Sequence, residues 1–94
     1  MEINIFEYTN IFAENKDVAR KIRLELIIPE LEKNNEVILN FKNVNSATQS
    51  FIHALISDII RKFGIEILDK MIFKNCNDTV QKIIIIVTEY MQET

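Results

Sequence analysis

Hydroxyl and amide side chains concentrate in one stretch of the chain, "NVNSATQSFIHAL", which runs from residue 43 to residue 55. Two chemistries suit such a stretch: its side chains can cap the start of a helix, or a partner can bind or modify one of them. Ser46 followed by Gln49 fits a capping box, and Thr48 is an alternative N-cap residue. Capping therefore accounts for these three residues.

Ser50 is not needed for capping. On a helical wheel of about 100° per residue, it lies opposite the apolar stripe that follows it, on a face shared with Ala54, Ser57 and Arg61. We therefore expect its side chain to be accessible in the first turn of a helix, where unpaired N–H groups tolerate negative charge. Ser50 is the candidate phosphorylation site of the chain, and a plain exposed serine is the alternative.

Other kinds of chemistry find little support in the sequence. His53 and Cys76 are the only imidazole and thiol side chains, which are too few for a metal site. Because Gly64 is its only glycine, the chain has no glycine-rich phosphate loop. We therefore expect a protein without enzymatic activity, catalytic residues, metal or cofactor.

Length, charge and cysteine content narrow the class of protein further. The 94 residues suit one small domain, and one proline and one glycine leave little room for linkers, so residues 1–94 are predicted to form a single domain. With 11 basic and 14 acidic residues the net charge is −3, and no basic stripe suits a nucleic acid. No apolar run approaches the roughly 20 residues of a membrane span, and the lone cysteine cannot form an internal disulfide. A cytoplasmic protein that binds neither nucleic acid nor membrane is expected.

The elements that position these residues begin with two predicted strands. Residues 3–6 alternate apolar and polar side chains, and residues 7–12 can turn and return as a second short strand. A helix capped by Asn15 follows, with apolar residues at helical spacing. Pro29 cannot donate to the helix ladder, so the regular helix is predicted to end or kink near Ile28.

The remaining segments alternate between strand and helix. Residues 36–41 have the continuous apolar character of a central strand covered on both faces. A helix is predicted from about Thr48 to Phe63, ended by Gly64, and a third buried strand over residues 71–74. The segment after Asn77 is predicted to be the last helix. The order β-β-α-β-α-β-α indicates an α/β fold, with a mixed four-stranded sheet and about three helices packed on it.

Two isoleucines of the last predicted helix lie off its apolar stripe. At about 100° per residue, Ile85 points away from the stripe and Ile86 lies well to one side of it. Both are core residues if the helix is buried on two sides or if the segment is a strand. Otherwise they form a surface for a homodimer or another partner, because exposed isoleucines on a small protein need a reason.

Two segments carry a pattern typical of a known family. "VILNFKNVNSATQSFIHALISDII" has a hydrophobic strand, a Ser/Thr-rich loop and a helix that opens with Ser-Phe, and "MIFKNCNDTVQKIIIIV" has a last strand, an Asn-containing loop and a closing helix. Together they resemble the STAS-like domains, which are related to the anti-sigma factor antagonists. The resemblance covers roughly residues 2–91, and its specific part is residues 36–63. Asn40 departs from the antagonists' strand-end acid, and Thr48-Gln49-Ser50-Phe51 lacks their Ser-Gly dipeptide.

The resemblance implies a regulatory function. In the antagonists, a histidine-kinase-like ATPase phosphorylates a serine at the start of the corresponding helix. The phosphorylated antagonist no longer captures that ATPase. Ser50 stands at the equivalent position. We therefore expect a non-enzymatic interaction module that docks such an ATPase or a similar regulator. The predicted partner-binding residues are Asn43, Asn45, Ser46, Thr48, Gln49, Ser50, Ala54 and Ser57. The alternative is a sensor of a nucleotide or metabolite, with a polar pocket formed by the strand ends and residues 43–46.

Overall fold

The computed structural model describes the chain from Met1 to Glu93. Its strands are β1 (Glu2–Asn4), β2 (Phe12–Ala13), β3 (Val37–Asn40), β4 (Ser46–Ala47) and β5 (Met71–Lys74). Its α-helices are α1 (Phe6–Thr9), α2 (Lys16–Ile22), α3 (Ile28–Glu32), α4 (Gln49–Phe63) and α5 (Asp78–Glu93). A π-helical segment (Arg23–Ile27) joins α2 to α3, and a 3₁₀ segment (Ile65–Lys70) precedes β5. The fold belongs to the predicted α/β class.

The main sheet has three parallel strands in the order β1-β3-β5. The central strand was predicted correctly, since Val37 and Leu39 are fully buried. The other face is more open: Ile38 is half-buried, and its neighbour Ile72 in β5 is exposed. The expectation of complete cover on both faces is therefore wrong, because the core packs mainly against one face of the sheet.

The predicted mixed four-stranded sheet is wrong, and its N-terminal part explains why. Instead of turning back as a hairpin strand, Phe6–Thr9 forms one helical turn, in which the Thr9 hydroxyl donates to the Ile5 carbonyl at 3.2 Å. The chain then leaves the main sheet, and β2 pairs in parallel with β4 as a separate two-stranded sheet. Both sheets consist of parallel strands.

The helical region that follows β2 continues past Pro29 and does not end before it. Asn15 caps α2 as predicted, accepting hydrogen bonds from the N–H groups of Asp17 and Val18. The α-helical ladder stops at Ile22, five residues adopt the wider π geometry, and an α-helix resumes at Ile28. Proline removes a donor and crowds the preceding turn, and a π segment is one way to absorb that change.

Both long helices begin where the sequence predicts, and α4 also ends there. Thr48 caps α4 by accepting a hydrogen bond from the Phe51 N–H at 3.0 Å, and Gly64 closes it with a φ of 90°. Asn77 caps α5 by accepting from the Val80 N–H at 2.8 Å. Both helices bury an apolar stripe, because residues at helical spacing share one face.

Ile85 and Ile86 are exposed on α5, so they do not belong to the core of this chain. The segment is a helix, which rules out its interpretation as a strand. A homodimer through these two residues stays a prediction. Among the described residues, no helix combines the length and apolar character needed to cross a membrane.

Candidate functional site

The first turn of α4 exposes the side chains of Gln49 and Ser50. Thr48 is the residue that caps the helix, whereas the capping box predicted from Ser46 and Gln49 does not form. Ser46 lies instead in β4, where its backbone N–H donates to the Ile11 carbonyl at 3.4 Å. Ser50 therefore has no capping duty and points to solvent, as its position on the helical wheel predicted.

The loop before α4 is held at several points. The Asn45 N–H donates to the Ile11 carbonyl at 2.7 Å, and the Asn77 side-chain amide donates to the Asn45 carbonyl at 2.7 Å. Asn43 adopts a left-handed conformation with a φ of 71°, which asparagine tolerates better than most residues. The side chains of Asn43 and Asn45 are exposed on this anchored backbone. The loop thus presents its polar groups in a fixed arrangement.

Two apolar residues that sequence analysis did not single out lie beside this loop. Ile11 is 50% exposed and Phe12 is 56% exposed. Pairing of Phe12 with Ser46 places both next to the start of α4, and the Thr48 N–H donates to the Ala13 carbonyl at 2.9 Å. Their apolar character was visible in the sequence, but their position depends on pairing between residues far apart in the chain.

Ser57, at the other end of the predicted partner-binding surface, is buried. It is only 2% exposed, in the part of α4 that Arg23 of the π segment contacts. The Arg23 Nη1 donates to the Ala54 carbonyl at 2.6 Å and lies 3.2 Å from the Asp58 carboxylate. The expectation that Ser57 presents its hydroxyl to a partner is therefore wrong, and Ala54 is half-buried.

Asn40, at the carboxyl end of β3, is buried and is hydrogen-bonded to residues of the segments on both sides of it. Its amide Nδ2 donates to a Glu2 carboxylate oxygen at 2.9 Å, and its Oδ1 accepts from the Lys42 N–H at 2.9 Å and from Asn75 Nδ2 at 3.1 Å. The Asn40 amide, together with the Lys74 ammonium, lowers the pKa of Glu2. A carboxylate at position 40 could not donate to Glu2, which is a physical reason for asparagine where the antagonists have an acid.

This network bears on the alternative of a ligand pocket at the strand ends. The polar atoms of Asn40 are already engaged with protein groups. Three cavities of the described residues are lined by other segments and not by residues 43–46. One of them, of about 460 Å³, lies against the first turn of α4 and is lined by Lys16, Gln49, Ser50, His53 and Ala54.

The imidazole of His53 belongs to α4, and the thiol of Cys76 lies between β5 and α5. The Nδ1 atom of His53 is 3.4 Å from the Ser57 hydroxyl, and its ring lies 6.5 Å from that of Tyr90. Burial raises the pKa of the half-buried Cys76 thiol. Among residues 1–93, no group of three or more His, Cys, Asp or Glu side chains is placed to hold a metal ion.

The family model that matches this chain is described as a STAS-like domain of unknown function (DUF4325), and it matches residues 18–81. That range runs from α2 through the central strand, the loop and α4 to the start of α5. The chain belongs to this STAS-like family, as the pattern around residues 36–63 predicted. No curated protein and no solved structure matches the chain.

Proposed function

We propose that this STAS-like domain is a non-enzymatic regulatory module that binds a protein partner through the N-terminal end of α4. The observation that carries the proposal is that the exposed Ile11 and Phe12 belong to a segment whose backbone pairs with the loop before α4. These two residues, the loop and the first turn of α4 are here called the α4 entry surface. By resemblance to the anti-sigma factor antagonists, the partner is a histidine-kinase-like ATPase or a similar regulator. The polar contributors that remain exposed are Asn43, Asn45, Thr48, Gln49 and Ser50.

The composition of the α4 entry surface suits protein binding. Binding energy at interfaces is concentrated in a few central apolar or aromatic residues, and polar groups surround them. Phe12 and Ile11 supply the apolar centre, and the loop supplies the polar rim. The backbone hydrogen bonds from Asn45 and Thr48 hold the two parts together, so little conformational freedom is lost on binding.

Ser50 is placed to switch this binding without affecting the fold. Its side chain is exposed, and the cap of α4 is supplied by Thr48. A phosphate there adds about −1.5 to −2 charge in the first helical turn, where negative charge is tolerated. Lys16 lines the same cavity and adds a nearby cation. The phosphorylated form is therefore expected to keep its fold and to lose partner affinity through charge.

The proposal is tested by retrieving host proteins on the immobilised chain and measuring the affinity of the purified, identified partner. Phe12→Thr and Ser50→Glu are each expected to weaken that affinity about tenfold or more, as hot-spot substitutions do. Ile72→Thr is the matched control, because Ile72 is also an exposed strand residue but lies on the open face of the main sheet. Equal affinity of Phe12→Thr and Ile72→Thr would contradict the docking surface. Unchanged affinity of Ser50→Glu would remove the switch alone.

A further inference from the structure

We infer that two copies of this chain associate through the exposed face of α5, with the two helices antiparallel. This face, here called the α5 face, consists of Lys82, Ile85, Ile86 and Glu89, which lie within about 100° of one another around the helix. It shares no residue with the α4 entry surface, so the dimer does not depend on the proposed partner binding.

The centre of the α5 face is apolar and uncovered. Ile85 is 47% exposed and Ile86 is 42% exposed, whereas Val80 and Val87 on the opposite side of α5 are buried in the core. Tyr90, one turn after Ile86, is 55% exposed and widens the apolar area. Isoleucine is a weaker helix former than lysine or glutamine, so the helix alone gives no reason for two of them in solvent. Burial between two molecules removes this apolar area from water, which stabilises association.

The charges of the α5 face favour a second copy in the antiparallel orientation. Lys82 precedes Ile85 by three residues, and Glu89 follows Ile86 by three residues. A twofold axis through the midpoint of the two isoleucines therefore places Lys82 of each copy opposite Glu89 of the other. The face is thus complementary to itself, as the interface of a twofold dimer must be. A parallel pair would bring the two copies of Lys82 together, and such like charges repel.

Both charged side chains are available for these contacts. Lys82 and Glu89 are exposed, and neither forms an ion pair with another residue in the described part of the chain. Seven residues of helix separate them by about 10.5 Å along the axis, so they do not pair with each other within one copy. The antiparallel dimer forms the pair twice, and such exposed pairs fix orientation more than they add affinity.

The size of the α5 face indicates a weak dimer. The 16 residues of α5 form a helix about 24 Å long. One pair of such helices buries less than the roughly 1,600 Å² of a standard protein interface. We therefore expect a dissociation constant of about 10–100 μM, which makes association dependent on protein concentration.

The test is sedimentation equilibrium of the purified chain from about 1 μM to about 1 mM, a range that brackets this constant. The average mass should rise from that of one chain to that of two. Ile85→Gln and Ile86→Gln should each weaken dimerisation about tenfold or more, because each removes two buried apolar side chains per dimer. Glutamine suits a helix, so α5 should stay intact. Ile72→Thr is the matched control, since Ile72 is an exposed isoleucine outside α5 and should leave dimerisation unchanged.

Charge reversal tests the antiparallel orientation. Lys82→Glu and Glu89→Lys should each weaken dimerisation about fivefold or more at low salt, because attraction becomes repulsion. The double variant should dimerise as the parent does, since both pairs are restored with their signs exchanged. Glu66→Lys is the control for net charge: it makes the same change as Glu89→Lys at an exposed position outside α5 and should have no such effect.

Three results would overturn the inference. A monomer at every concentration would leave the α5 face to a different partner. Equal weakening by Ile72→Thr and Ile85→Gln would place the interface elsewhere. A double charge variant as weak as the single ones would exclude the antiparallel pair. Phe12→Thr should dimerise normally, which separates this result from the test of partner docking; loss of the dimer in that variant would instead assign the contact to the α4 entry surface.

Discussion

Ser50 and Ser57 stand two turns apart on the same side of α4, but their surroundings are opposite. Ser50 is exposed beside the loop, whereas Ser57 is buried beneath the π segment that follows α2. One helical face is therefore divided between two regions, the α4 entry surface and the Arg23 contact. The first is accessible to a partner, and the second fastens two helices together.

The difference shows which substitutions report on binding and which report on stability. A change at Ser50 alters the charge of an exposed surface and leaves the packing of α4 intact. A change at Arg23 or Ser57 alters the contact between α4 and the segment that covers it. Substitutions in the two regions should therefore separate clearly in unfolding experiments, and four of them test the division.

Arg23→Ala should have the largest effect on stability. It removes the packing of a buried side chain and the hydrogen bond from Nη1 to the Ala54 carbonyl, so we expect a loss of about 2–4 kcal/mol in the free energy of unfolding. Arg20→Ala, an exposed arginine of the same helical region, should change it by less than about 0.5 kcal/mol. Urea denaturation followed by circular dichroism measures both. A similar small loss for the two variants would show that Arg23 does not fasten the helices.

Ser57→Leu should have the next largest effect. Added carbon atoms in a packed position force the neighbours to shift, at a cost of about 1–3 kcal/mol. Ser50→Leu places the same side chain in solvent and should change stability by less than about 0.5 kcal/mol. Thermal and urea unfolding of the two variants compare the regions directly. If both serines tolerate leucine equally, the two regions do not differ in packing.

Thr48→Ala should have a moderate effect. It removes the side-chain oxygen that accepts from the Phe51 N–H, and loss of such a cap typically costs about 1 kcal/mol. Thr48→Ser keeps the oxygen and should retain most of the stability. The free energies of unfolding from urea titration check this pair. A Thr48→Ala protein as stable as the parent would mean that another group caps α4.

Ser50→Glu should have the smallest effect on stability. The added carboxylate lies in the first turn of α4, where it should be neutral or stabilising by about 0.3–1 kcal/mol at low salt. Stability is measured at low and high ionic strength, because any gain from the helix terminus should be screened by salt. A loss above about 1 kcal/mol would show that Ser50 has a structural duty.

Much of the fold could be predicted because its signals are local. The caps at Asn15, Thr48 and Asn77 and the end of α4 at Gly64 each depend on residues within one helical turn. The N-terminal hairpin was wrong for the opposite reason. Strand β2 pairs with β4 and not with β1, and no pattern within residues 7–12 shows that choice.

In the candidate site, too, local features could be predicted from the sequence and contacts between distant segments could not. Exposure of Ser50 followed from the helical wheel, because only the geometry of its own helix was needed. Burial of Ser57 could not follow from it, since a wheel does not include the neighbouring segment that supplies Arg23. Arg23 itself lies two residues from Lys21 and from Glu25, and the sequence gave no sign of its burial.

The sequence by itself determined the α/β class, the bounds of α4, the start of α5, the STAS-like pattern and the exposure of Ser50. These depend on periodicity and capping, which act over a few residues. Only the tertiary structure decided which strands pair, that Ile11 and Phe12 lie beside the loop, and that Arg23 binds the Ala54 carbonyl of α4. Each of these is a contact between segments distant in the chain, and such contacts are selected by the packing of the whole domain and not by any local stretch.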